Sequence, residues 1–235
     1  MPWQFYLAVI FSLAAVVLAV LRLRIEAAPK GAGNGVQTGA AEQNYVYRPL
    51  AMLAIALVAM VAPEPVSVFY KGAIVLALLL ALLGETVMMV KGTPLMVGVI
   101  FVSFCALLYF FAFGSTVDLQ WPTPWALLIV LYVGAVYFLL APSLGEFWFP
   151  GIIFMLLLAL ATWMALEAVV QVRQPWAFVG LVGVVVLDGA ATLLGVNEFR
   201  DGFRGSRLTM IGLYYLAQLL IAVSVWGALL SVGFN

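Results

Sequence analysis

The chain contains no histidine and a single cysteine, Cys105, which lies in an apolar run. A disulfide within the chain is therefore impossible, and a zinc or iron–sulfur site lacks its ligands. The Ser-His and Cys-His nucleophile pairs are excluded too. No metal or other cofactor is expected. Charge is also scarce. Ten basic and ten acidic residues make up 9% of 235 residues and cancel to a net charge of zero. Nothing in that balance points to nucleic acid or to an acidic partner. No long polar segment interrupts the chain, so it reads as a single domain over residues 1–235.

What is present is apolar. Hydrophobic residues make up 66% of the chain, against roughly half in a soluble globular domain. Water could not solvate such a surface, so lipid must cover much of it. The fold class expected is an all-α polytopic membrane bundle of about eight transmembrane helices, near 3–23, 46–62, 70–90, 95–113, 124–141, 149–170, 176–194 and 208–232. Turn residues mark the breaks, among them Pro63-Glu64-Pro65, Lys91-Gly92-Thr93-Pro94, Trp121-Pro122-Thr123-Pro124 and Gln174-Pro175-Trp176. Proline lacks the helical donor, and glycine prefers turns. The one long connection, about 25–44, is rich in Gly and Ala and is expected to be a mobile cytoplasmic loop.

No basic residue precedes the first apolar run, while Arg22 and Arg24 follow it. That is the reverse of a cleavable signal and fits a retained helix with its N-terminus outside. Loops one, three, five and seven hold Arg22, Arg24, Lys30, Arg48, Lys91, Arg200, Arg204 and Arg207; the other loops hold Lys71 and Arg173. This asymmetry predicts both termini outside and the odd loops in the cytoplasm.

Two acids lie deep within spans. Glu85 precedes Lys91 by six residues and Asp188 precedes Asn197 by nine, so they sit about 9 and 13 Å below the cytoplasmic face. A carboxylate in hydrocarbon faces the bundle interior, finds a partner or carries a proton. Two acids in different environments make an acid–base pair; each could instead be a hydrogen-bond hub between helices. If they share a site, both should face one cavity, within about 10 Å of each other, with Tyr214 and Gln218 lining it. Arg48, before Pro49 at the start of the second helix, could hold a phosphate or carboxylate. Glu167 reads as a snorkelling residue within reach of Arg173. Gly84, Gly180, Gly183 and Gly189 crowd the acids, either for close packing or to make room for an acyl chain. A faint repeat, Leu95-Met96-Val97-Gly98 against Thr209-Met210-Ile211-Gly212, puts the acids on the third helix of each half and suggests two parallel four-helix halves.

Taken in order, Arg48-Pro49, Leu79 to Glu85, Gly98 with Phe101, Tyr109 with Ala112-Phe113, Gly180 with Asp188, and Tyr214-Tyr215-Leu216-Ala217-Gln218 resemble the YhhN-like lysoplasmalogenase family over roughly residues 48 to 220. The chain departs from the family pattern at four positions. Glu85 stands for Asp, Arg48 for Lys, Ala106 for His and Leu187 for Ser. The resemblance implies hydrolysis of the vinyl ether bond of a lysophospholipid in a plasma membrane, such as a bacterial inner membrane. Glu85 and Asp188 would be catalytic, and Arg48, Tyr109, Tyr214 and Gln218 would bind substrate. A non-catalytic lipid-binding or assembly protein of that family, or a transporter using the acids as a proton relay, is the alternative reading. The oligomeric state is not legible.

Overall fold

A computed structural model describes residues 3–27, 34–63, 65–88, 90, 94–118, 123–200, 202–203 and 205–227; between 25 and 45 it describes the backbone alone. Among these residues there are eight α-helices and no strand: α1 (Trp3–Ala27), α2 (Asn34–Met60), α3 (Val68–Val87), α4 (Leu95–Gly114), α5 (Ala126–Leu140), α6 (Trp148–Val172), α7 (Pro175–Phe199) and α8 (Ser206–Ser224). Seven of the described helices are long and apolar enough to cross a membrane. The chain is a multi-pass membrane protein. Exposed Leu127, Leu128, Val130, Leu131 and Phe138 on α5 would be untenable in water but suit lipid.

Local chemistry sets the helix ends. Ser67 caps α3 by accepting from the Tyr70 amide at 3.0 Å. Pro175 opens α7 in the first turn, where its missing donor costs nothing. Arg173 ends α6 in the left-handed region at φ 55°. Two expected boundaries move most, the start of α2 and the end of α8. The connection expected over about 25–44 is shorter, because α2 already begins at Asn34; residues 28–33 lie outside the described residues. Arg48 and Pro49 therefore sit inside α2 and do not start it. The last helix ends at Ser224 and not at 232, of which 228–232 lie outside the described residues.

The apolar part of α2, Val46–Met60, is shorter than the other spans. At about 1.5 Å per residue it falls short of a hydrocarbon core about 30 Å thick. It does not need that length alone, because α1, α3 and α8 pack around it and bury Ala51, Met52, Ile55 and Val58.

Helix adjacency repeats with a period of four. The pairs α1–α2, α2–α3 and α3–α4 are matched by α5–α6, α6–α7 and α7–α8, and the halves join through α4–α6 and α8–α2. Helices α2, α3, α4, α6, α7 and α8 thus close a ring, with α1 and α5 outside it. Glycines set its tight seams. A Cβ on Gly84 would come within 2.8 Å of Phe101, one on Gly180 within 2.6 Å of Phe113, and one on Gly183 within 2.8 Å of Ile221. Gly189 has nothing within 4 Å, so close packing explains the first three and not the fourth.

Candidate functional site

Glu85, Asp188 and the arginines beside Glu85 lie at one end of the ring, where α3 and α7 finish and α4, α6 and α8 begin. Two neighbouring cavities open there. The larger, about 200 Å³, is walled by Arg22, Arg48, Glu85, Phe101 and Tyr214. The smaller, about 80 Å³, is walled by Tyr132, Leu158, Asp188 and Thr192. They share a partition of Leu95, Val99, Phe154, Ala191 and Leu194. The repeat organises them: α4 to α7 enclose the aspartate cavity, while α8, α1, α2 and α3 supply the polar wall of the arginine cavity.

Glu85 is held by a cation and a phenol. Arg22 Nη1 lies 3.5 Å from Glu85 Oε1. The same nitrogen donates to the Tyr215 hydroxyl, which donates onward to Glu85 Oε2 at 3.0 Å. The Arg22 guanidinium also lies 5.0 Å from the centre of the Tyr215 ring. Arg48 is close enough to Glu85 to interact with it electrostatically. Helices α1, α2 and α8, from both halves, thus converge on one carboxylate of α3.

Asp188 has different company. It is 9% exposed, and its Oδ1 is buried without a hydrogen-bond partner among the described residues. Its Oδ2 is 2.7 Å from Thr162 Oγ1, which is also 3.0 Å from the Leu158 carbonyl. No cation pairs with it among the described residues. Its backbone carbonyl accepts from Tyr132 at 3.1 Å and from Thr192 at 2.9 Å.

The sequence-predicted residues divide accordingly. Glu85, Arg48 and Tyr214 line one cavity. Asp188 lines the other, so the single shared cavity is in fact two. Apolar side chains of α4, α6 and α7 line both cavities where they meet. Tyr109 and Gln218 line neither of these cavities. Both are buried, and Tyr109 donates to the Gln218 amide oxygen at 2.5 Å. The pair ties α4 to α8 in the core.

Arg22 and Tyr215 escaped sequence reasoning. Arg22 was counted among loop charges, yet it is 5% exposed inside the bundle. The available signal was its position, still within the apolar run Val20-Leu21-Arg22-Leu23. Tyr215 stands beside Tyr214 in the Tyr-Tyr-Leu-Ala-Gln run, and nothing in that run marks it as the partner of Glu85. Glu167 also differs from expectation. It does not snorkel to Arg173 but is buried, accepting from the Thr123 amide at 2.8 Å and from Trp163 Nε1 at 3.0 Å. The left-handed turn at Arg173 sends that side chain elsewhere, to the Val170 carbonyl.

No curated protein and no solved structure matches the chain significantly. Residues 43–225, from the second helix to the end of the last and including both acids, match the YhhN family, and the chain belongs to that family.

Proposed function

We propose that this chain is a membrane hydrolase that cleaves the vinyl ether bond of lysoplasmalogen-type lysolipids by carboxylate acid/base catalysis. The observation that carries the reading is the pair of intramembrane acids on adjoining cavities, one beside cations and one without. Their family supplies the substrate class, because membership supports a lysoplasmalogenase-like protein.

The chemistry divides as the environments do. A vinyl ether hydrolyses when a proton reaches its β-carbon, leaving an oxocarbenium ion that water captures. The resulting hemiacetal collapses to a fatty aldehyde and a glycerophospho-alcohol. Asp188 is the proton donor in this reading. The Thr162 hydroxyl has one proton and two close acceptors. With that proton on Leu158, a proton on Asp188 fills the remaining contact. Glu85, paired with Arg22, is the ionised partner that favours the developing cation and orients water. Glycosidases divide acid and base between two carboxyls around a similar cation. The lipid head group lies beside Arg48 and Tyr214, and the alkenyl chain crosses the apolar partition toward Asp188. In this reading the membrane is a plasma membrane, and the loop charges favour its cytoplasmic half for this end of the bundle.

The test is aldehyde release by the purified chain from a panel of lysolipids. Asp188→Asn keeps shape and polarity but cannot donate an acid proton. Its turnover should fall about a hundredfold or more, the usual weight of a general acid, with the melting temperature nearly unchanged. Near-parental hydrolysis by this variant would end the case for carboxylate catalysis. Lipid binding without aldehyde from any vinyl ether lysolipid would leave a lipid-binding member of the family.

A further inference from the structure

Arg22, on the wall of the arginine cavity, carries a donor without a partner among the described residues. Arg22 is 5% exposed, and its Nε is buried without a hydrogen-bond partner among the described residues. Its described bonds both leave from Nη1, to Tyr215 and to Glu85. A buried donor with no acceptor is costly, and guanidinium donors are arranged in a fork that fits phosphate oxygens. The wall of the cavity carries two cations, Arg22 and Arg48, against one acid, Glu85. The aspartate cavity, its counterpart in the other half, has no arginine or lysine in its wall. The two halves have therefore diverged into one compartment with arginines in its wall and one without.

We propose that Arg22 is a ligand for a phosphate ester monoanion, its Nε–H completing the head-group end of the site. The Tyr215 ring and hydroxyl and the Glu85 carboxylate hold the guanidinium in place, so it is organised before the anion arrives. Arg22 precedes the residues 43–225 that match the family. Helix α1 thus brings this chain a binding residue that the family-matched segment does not contain. The inference rests on the hydrolase reading for the lipid that delivers the phosphate, but not for the anion site itself.

The test measures binding to the full chain in detergent, with ligands that cannot be turned over. An ester-linked lysophosphatidylcholine is compared with monoacylglycerol of the same chain length, with glycerol 3-phosphate and with inorganic phosphate. The phosphate lysolipid should bind at least tenfold more tightly than the monoacylglycerol. The double variant Arg22→Gln/Glu85→Gln removes one charge of each sign, so it leaves the charge balance of the cavity unchanged and strands no buried ion. It should lose that preference, and Arg22→Lys should keep part of it. Comparable Arg22-dependent binding of glycerol 3-phosphate or inorganic phosphate would support the site and name a soluble anion as its source; preference for the lysolipid would name the lipid. Equal affinity for lysolipid and monoacylglycerol, or a parental preference in the double variant, would overturn the proposal. Absence of aldehyde release alongside Arg22-dependent phosphate selectivity would sink the hydrolase reading alone.

Discussion

Glu85 and Asp188 are chemically similar and were equally visible in the sequence, since each interrupts an apolar run. Their neighbours separate them. Glu85 has a guanidinium and a phenol, whereas Asp188 has one hydroxyl on Oδ2 and nothing on Oδ1 among the described residues. No local pattern marks that contrast, because Arg22 is 63 positions from Glu85 and 193 from Tyr215. Arg22 was legible as a charge, but a charge at the end of a span reads first as a topology signal. The pair makes a stability prediction. Arg22→Gln should take the ion pair from the partly buried Glu85 carboxylate and cost about 1–3 kcal/mol. Adding Glu85→Gln should recover most of that loss, since no buried ion is then left alone. Thermal unfolding of the single and double variants measures the coupling. Additive losses would show that the two side chains do not sense each other.

At the scale of the helices, small residues do two separate things that composition alone could not distinguish. Gly183 lets α7 lie against α8 so closely that a Cβ there would sit 3.0 Å from the Ile221 backbone nitrogen as well as 2.8 Å from its side chain. Backbone cannot swing aside, so Gly183→Ala should destabilise by about 1–3 kcal/mol. Gly189, beside Asp188, meets nothing within 4 Å. Gly189→Ala should be neutral, or stabilise by up to about 1 kcal/mol through helix propensity. Melting temperatures of the two variants in one detergent check the ranking, and equal losses would refute the assignment of Gly183 to a packed seam. The helices themselves were legible to within a few residues where turn chemistry marked their ends. The exceptions are the end of α8 and the start of α2. Pro49 looked like a first-turn residue, yet the helix begins at Asn34, because neighbouring helices support the proline where its own hydrogen bond is missing.

For the molecule as a whole, orientation is the expectation most open to direct measurement. Arg22 and Arg48 were counted with the loop charges, but both lie within helices and line a cavity. The remaining count still favours the same loops, with Arg24, Lys30, Lys91, Arg200, Arg204 and Arg207 against Lys71 and Arg173. Cys105 is 1% exposed and should react slowly, so single introduced cysteines report cleanly. A membrane-impermeant maleimide applied to intact cells should label Asp118→Cys and spare Glu146→Cys. The reverse pattern would put the arginine cavity on the outer side. Helix number, exposure to lipid and the presence of two intramembrane acids followed from the sequence by itself, because each depends on the composition of one segment and on the cost of putting it in water or hydrocarbon. The repeat was faintly legible, but only the ring of helix contacts gave it form. The separate cavities, the burial of Arg22 and the bond that commits Tyr109 to Gln218 were decided by tertiary structure. Each depends on which faces of distant helices meet, and a hydrophobic pattern that is apolar nearly all round does not specify the facing side.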